Sequence, residues 1–318
     1  MKTTVNWGVL SYARIAQQNV IPAIERASNA QLLGIASRDP SRLPTEGDVR
    51  TYGRYQALLD DADIDAVYIP LPNSLHQEWA IKALQAGKHV LCEKPLALDA
   101  QGARAMTAAA QASNRLLMEA FMYRYTDRIA KVQEVLASGV LGPIRHINAS
   151  FRFFLDRPNT IKVQPQLGGG ALYDVGCYPI NLVGMITGRL PVRCHAVAEQ
   201  EQGVDVNLSA LLQYDDGLIA NIHCGFNAYP RTYAEIIGTQ GSLEIDDTFS
   251  DISGSLRVHT QEGTRIIPVN ESDRYTAEIR DFSAAVLSGG KPRLAPEESI
   301  TNMAVLDMIR ATLSVPGK

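Results

Sequence analysis

The first third of the chain alternates short apolar runs with helix-like stretches, and that rhythm restricts the fold more than any other feature. Val5–Leu10, Leu32–Ala36, Ala66–Pro70, His89–Cys92 and Leu116–Ala120 read as strands. Arg14–Ala27, Ser74–Ala86 and Asp99–Ser113 read as the helices between them. Strands this apolar, each followed by a helix, specify a parallel sheet covered on both faces. Pro22 should make the first helix irregular. Ser74 is the expected N-cap of the second, with Gly87 its stop, and Asp99 the expected cap of the third.

After about Arg124 the rhythm changes. A helix over Asp127–Ala137 leads into strand candidates at Ile144–Leu155, Arg193–Ala198, Asn207–Tyr214, Leu218–Cys224, Thr232–Gly238, Ser242–Ile245 and Gly254–His259. Turn dipeptides such as Asp216-Gly217 and Gln240-Gly241 join several of them. Helices are expected at Asp174–Thr187, Tyr275–Leu287 and Pro296–Leu313. The expected architecture is α/β: a doubly wound Rossmann domain over 1–123, then an α+β domain over 124–318 on a large, mostly antiparallel open sheet.

Composition sorts the classes of partner. Apolar residues at 46% and charged residues at 20% describe a soluble globular chain. A net charge of -4 gives no electrostatic reason to expect nucleic acid. No apolar run approaches the roughly 20 residues that span a bilayer, so no membrane partner is expected. Met1–Trp7 lacks the uninterrupted apolar stretch of a signal peptide. Cys92, Cys177, Cys194 and Cys224 form no CxxC pair, which suits reduced thiols and a cytoplasmic location. No metal is expected: His195 beside Cys194 is the only tight pair of ligand types, and neighbours on a strand point to opposite faces.

A dinucleotide fold needs a close turn after its first strand, where backbone N–H groups and the helix dipole meet a pyrophosphate. Gly8-Val-Leu-Ser11-Tyr12-Ala13-Arg14-Ile15-Ala16 lies at that turn, with Ser11, Ala13 and Ala16 at the small positions usually held by glycine. The second strand ends in Ser37-Arg38-Asp39-Pro40-Ser41-Arg42. An acid at its tip would favour NAD by binding the ribose hydroxyls. Ser37, Arg38 and Arg42 suit a 2′-phosphate, so NADP is expected; Asp39 leaves NAD open.

Two further segments carry chemistry. Glu93-Lys94-Pro95 follows the strand ending at Cys92, which puts Lys94 on the ligand side of a parallel sheet. Pro95 restricts the backbone there and could follow a cis bond. In Gly168-Gly169-Gly170-Ala-Leu-Tyr-Asp174-Val-Gly176-Cys-Tyr178, the glycines are expected to let a ligand approach. Asp174 and Tyr178, four apart, should share one helix face. A phenol of pKa about 10 needs a nearby cation to exchange protons near neutrality. Lys94 is the candidate.

These segments resemble the Gfo/Idh/MocA oxidoreductases, together with Trp7-Gly8-Val-Leu, Val67-Tyr-Ile-Pro-Leu71-Pro72-Asn73-Ser-Leu-His76, Ala86-Gly-Lys-His-Val-Leu-Cys-Glu93-Lys94-Pro95 and Met118-Glu119-Ala-Phe-Met-Tyr-Arg124. The resemblance covers nearly the whole chain. It implies that Lys94 and Asp174 line a substrate site, that Leu71, Pro72, Asn73, His76, Glu93, Pro95 and Arg124 lie near the cofactor, and that the open sheet makes a homodimer or higher homo-oligomer. Tyr178, where many members have histidine, resembles the branch of dimeric dihydrodiol dehydrogenase, NADP-dependent xylose dehydrogenase and glucose–fructose oxidoreductase. That implies hydride transfer to or from a sugar-like alcohol or carbonyl, with Lys94 and Tyr178 as an acid–base pair.

The chain departs from the family pattern at Ser11 and Ala13, which bear on cofactor affinity, and at Leu43–Tyr52, which is short and poorly helical. Two rivals remain: an NADP-binding regulatory protein without turnover, and an NAD-linked inositol-type dehydrogenase. Lys94, Asp174 and Tyr178 together argue against the first, and Tyr178 with Arg38 against the second.

Overall fold

The computed structural model describes residues 2–44, 48–157 and 160–313. Its chain divides into two compact units, residues 1–121 with 275–300 and residues 122–274 with 301–318. The sequence suggested one continuous segment per domain. Instead Tyr275–Ile300, distant in sequence, clusters with the first unit.

The first unit holds β1 (Val5–Leu10), α1 (Ile21–Arg26), β2 (Ala30–Ala36), β3 (Arg50–Tyr52), α2 (Tyr55–Leu59), β4 (Ala66–Ile69), α3 (Asn73–Gln85), β5 (His89–Cys92), α4 (Ala100–Ser113) and β6 (Leu117–Glu119). The strands form one sheet in the order β3-β2-β1-β4-β5-β6, parallel throughout. The order reverses direction between β1 and β4, and ligands of such sheets bind outside the carboxyl ends of the strands at that point. The core is the expected one: Val5, Trp7, Val9, Val67, Ile69, Val90 and Leu91 are fully buried. Trp7 packs 5.5 Å from the Phe282 ring and donates from Nε1 to Ser283 Oγ at 3.1 Å, which fastens the late segment to β1.

Local expectations fared unevenly. Asp99 caps α4 by accepting from Gly102 N–H at 2.7 Å, and Gly87 ends α3 with φ of 78°. Ser74 is not a cap: α3 starts one residue earlier, after Pro72, with no capping side chain. The first helix opens as a π turn over Ala16–Val20 and becomes α-helical at Ile21, with Pro22 in its first turn where a missing N–H is harmless. Part of the Leu43–Tyr52 stretch, residues 45–47, lies outside the described residues; its end forms β3, tied by Arg50 to Asp61 at 2.6 Å.

The second unit holds α5 (Asp127–Ala137), β7 (Ile144–Phe154), α6 (Cys177–Thr187), β8 (Arg193–Glu201), β9 (Val204–Gln213), β10 (Ile219–Gly225), β11 (Asn227–Gly238), β12 (Gly241–Asp246), β13 (Gly254–Thr260) and β14 (Gly263–Val269). Eight strands make one sheet, β14-β13-β12-β11-β7-β10-β9-β8, antiparallel except for β7 beside β10. On β9 burial alternates residue by residue, so one face is packed and the other open. Two helices follow, α7 (Arg274–Ser288) and α8 (Pro296–Leu313). No helix among the described residues is long and apolar enough to cross a membrane.

Candidate active site

The carboxyl edge of the parallel sheet gathers four of the predicted segments. Ser11, Tyr12 and Ala13 form the turn after β1, all half-buried, and Arg14 and Ile15 begin the helix. Ser11 adopts φ of 114°, a conformation that favours glycine, and its N–H donates to Ala36 O at 3.0 Å. The tight turn of the fold is thus kept by a strained serine, at about 1–3 kcal/mol for such a conformation. Gly8 belongs elsewhere. It lies inside β1, where an added Cβ would come within 2.7 Å of Leu58 Cδ2, so its role is close packing beneath the sheet rather than the cofactor turn.

The tip of β2 has the donors of a phosphate pocket. Ser37 is buried, its Oγ accepting from Asp39 N–H at 3.1 Å, while Arg38 and Arg42 are exposed. Asp39 Oδ1 accepts from Ser41 Oγ at 2.6 Å and Ser41 N–H at 3.2 Å. The acid is therefore occupied in capping its own turn. The chemistry of this donor set, two guanidiniums and an engaged carboxylate, fits a nucleotide with a 2′-phosphate.

Leu71 is buried, Pro72 and Asn73 are half-buried at the start of α3, and His76 is fully buried. Its Nδ1 lies 2.9 Å from Pro95 O and its Nε2 2.8 Å from Leu71 O. Burial pushes the His76 pKa down against those two carbonyls. Glu93 accepts from Tyr68 Oη at 2.6 Å, Lys94 is half-buried, and the Lys94–Pro95 bond is cis.

Sequence reasoning gave Glu119 no role, yet it is 1% exposed at the end of β6 and accepts from Leu96 N–H at 2.8 Å. Burial pushes its carboxyl up to about 7, opposed by hydrogen bonds from Ser299 and Leu96 and by the charge of Lys94. Its signal in the sequence was a lone carboxylate within an apolar strand.

In the second unit, Leu172–Gly176 is a π turn that passes into α6. Asp174 lies in that turn, so the α-helical spacing assumed for Asp174 and Tyr178 does not hold across it. Asp174 is ion-paired with Lys162, a residue the sequence did not single out, whose ammonium also sits 5.0 Å over the Phe153 ring. Tyr178 is buried among the rings of Tyr123, Phe151 and Phe249, with centroids 5.7, 5.2 and 5.5 Å away, and its Oη lies 3.5 Å from Met122 Sδ. Two of the glycines before it lie where the chain packs on itself. At Gly169 a Cβ would lie 2.6 Å from Lys162 O, and at Gly170, φ 115°, 2.3 Å from Asp205 Oδ1. Asp205 in turn accepts from Leu172 N–H at 2.6 Å and holds the start of the π turn. Arg124, expected near the cofactor, is buried and donates to Asn181 Oδ1 at 3.3 Å, an oxygen that also accepts from Tyr123 Oη at 2.7 Å.

Comparison with known proteins matches this architecture in both halves. Residues 5–121 match the profile of the oxidoreductase family with NAD-binding Rossmann fold, and residues 129–244 that of the GFO/IDH/MocA C-terminal domain. The chain belongs to the Gfo/Idh/MocA oxidoreductases. It is a nicotinamide-dependent dehydrogenase or reductase. Among its relatives, D-xylose 1-dehydrogenase (NADP(+)) 2 of Haloferax volcanii is 36% identical over 313 residues, 95% of each chain. Trans-1,2-dihydrobenzene-1,2-diol dehydrogenase of Xenopus laevis is 32% identical over 291 residues, 87% of this chain and 84% of that one. A 3-ketoreductase from Actinomadura kijaniata, solved with NADP and TDP-benzene, superposes with a TM-score of 0.90 at 33% identity over 98% of both chains.

The raised carboxyl gives a test of the burial of Glu119. Its protonated form is favoured in the fold, so its contribution to stability is full below its ordinary value of 4.5 and is lost as pH rises through about 7. Glu119→Gln removes that ionisation. Urea unfolding at pH 5 and pH 8 is expected to show the variant gaining on the parent as pH rises; a difference that does not change with pH contradicts the assignment.

Proposed function

We propose that this enzyme transfers hydride reversibly between NADP(H) and a CH–OH or C=O group of a sugar-like substrate, with Lys94 and Tyr178 handling the oxygen. The observation that carries it is the half-buried Lys94 at the carboxyl end of β5, one strand beyond the point between β1 and β4 where the strand order reverses. When bound, the nicotinamide supplies the site that gives or accepts the hydride. Tyr178 takes the proton of a substrate alcohol on oxidation and returns it on reduction. Lys94 stabilises the alkoxide charge as it develops. Asp174, fixed by Lys162, orients the substrate hydroxyls.

The relatives support the same two groups. The Actinomadura ketoreductase has been solved with a lysine replaced and, separately, with a tyrosine replaced. Those two positions are as far apart in that chain as Lys94 and Tyr178 are in this one. The relatives named above are a D-xylose dehydrogenase, a dihydrobenzenediol dehydrogenase and a 3-ketoreductase, which supports a hydroxylated, sugar-like substrate.

The thiols and the second sheet support a compartment and an assembly. The four cysteines are free, which fits the reducing cytoplasm. One row of residues crosses all eight strands of the second sheet: His195, Leu211, Asn221, Asn148, Glu235, Glu244, Arg257 and Ile266. All eight are half-buried or exposed, with Leu211 at 41% and Ile266 at 65%. That open face suits a second copy of the chain, and light scattering should give twice the chain mass of 34.7 kDa; a single-chain mass rejects the dimer.

Lys94→Ala and Tyr178→Phe are each expected to lower kcat by about 10²–10⁴-fold while leaving NADPH affinity nearly intact. Steady-state kinetics with fluorescence titration checks both, and near-normal turnover in either removes that residue from the chemistry. Arg38→Ala should weaken NADP binding by about 10-fold or more, as loss of a charge-assisted contact does, and leave NAD binding little changed. Equal loss for both nucleotides would place Arg38 outside the 2′-phosphate pocket.

A further inference from the structure

One peptide unit on the carboxyl edge is gripped at both ends by buried side chains. The carbonyl of Pro95 lies 2.9 Å from His76 Nδ1, and the N–H of Leu96, the other end of the same peptide, donates to Glu119 Oε1 at 2.8 Å. His76 is 0% exposed and Glu119 1%. They come from separate elements, His76 from the first turn of α3 and Glu119 from the last position of β6. The far nitrogen of His76 lies 2.8 Å from Leu71 O, and the neutral ring that burial favours has one N–H, so the tautomer that donates from Nδ1 is the one that holds Pro95 O. Ser299, in the first turn of α8, offsets part of the burial penalty on the Glu119 carboxylate. The residue before the gripped peptide is Lys94, whose charge bears on both His76 and Glu119.

Packing alone does not account for these two residues. An imidazole and a carboxyl taken out of water are unfavourable unless their bonds compensate, and apolar side chains of the same size would fill both positions. What the two polar groups add is direction. A carbonyl held from one side and an N–H held from the other leave a peptide plane no freedom to rotate, and the neighbouring Lys94 inherits that rigidity. Charge stabilisation depends on donors fixed before the reaction begins.

We propose that His76 and Glu119 are positioning residues of the reaction: together they lock the Pro95–Leu96 peptide and so hold the Lys94 ammonium in its working place. This rests on the assignment of Lys94 to the developing alkoxide. Both act through the peptide, so their loss lowers kcat while KM and NADPH affinity stay near the parent values.

The test compares Glu119→Met and His76→Leu, which fill the space without the polar atom, with Glu119→Gln, which keeps an oxygen for Leu96 N–H. Each is made in the parent and in Lys94→Ala, and kcat, KM, NADPH Kd and circular dichroism are measured. Glu119→Met and His76→Leu are expected to lower kcat by about 10–100-fold, the scale of a misplaced catalytic group. Glu119→Gln should recover most of that rate, and none should lower the residual rate of Lys94→Ala. If Glu119→Met does not fold, His76→Leu carries the comparison. With Lys94→Ala impaired, parental kcat in a folded clamp variant, or an equal further loss in the Lys94→Ala background, overturns the clamp and leaves Lys94 in place. Near-parental kcat in Lys94→Ala alone overturns the assignment of Lys94, and the positioning role falls with it.

Discussion

The two hydrogen bonds that hold the Pro95–Leu96 peptide are the constraint on which the carboxyl edge of the first unit depends. They join the loop after β5 to the start of α3 and to the end of β6. Parallel strands supply the frame cheaply, because an apolar strand buried on both faces needs only register and a returning helix. The frame does not fix the loops beyond it. Here the loops are fixed by polar groups buried at 0% and 1% exposure, and Glu119 is held with its carboxyl raised to about 7. Stability is given up at the edge where chemistry is assigned, a familiar distribution of strain in enzymes.

The turn after β1 follows the same logic by a different route. Ser11 takes a backbone conformation that glycine would adopt without strain, and its N–H is still paired with Ala36 O. The geometry of the dinucleotide turn survives the change of residue. In the second unit the corresponding device is the π turn at Leu172–Gly176, which carries Asp174 just ahead of the helix bearing Tyr178. Asp205 holds its start, and Lys162 holds Asp174. Tyr178 itself is set among three aromatic rings, which restrict the phenol to one orientation.

Much of this was legible from residue order. Five of the six strands of the first sheet follow from apolar runs buried on both faces, and most strands of the second sheet follow from alternation. What escaped was one edge of each sheet. β3 is three residues long with two exposed positions, and β14 carries Pro268 and an exposed Ile266, which only an edge strand tolerates. Local chemistry was half legible. Lys94, Asp174 and Tyr178 stand out by motif, yet the contacts around them, His76 with Pro95, Glu119 with Leu96 and Lys162 with Asp174, join positions 12 to 23 apart in sequence. Periodicity cannot report such pairings, because they depend on where strands and loops end. At Gly169 and Gly170, read as room for a ligand, a Cβ would meet the chain itself, at 2.6 Å from Lys162 O and 2.3 Å from Asp205 Oδ1.

The central claim is that one ammonium and one phenol act on the same substrate oxygen. The measurement that meets it most directly is a crystal structure of the enzyme with NADP and an unreactive sugar analogue. Lys94 Nζ and Tyr178 Oη are expected within about 3.2 Å of one hydroxyl oxygen, the reach of a hydrogen bond that can move a proton. A well-ordered ternary complex with either group turned away from that oxygen would contradict it.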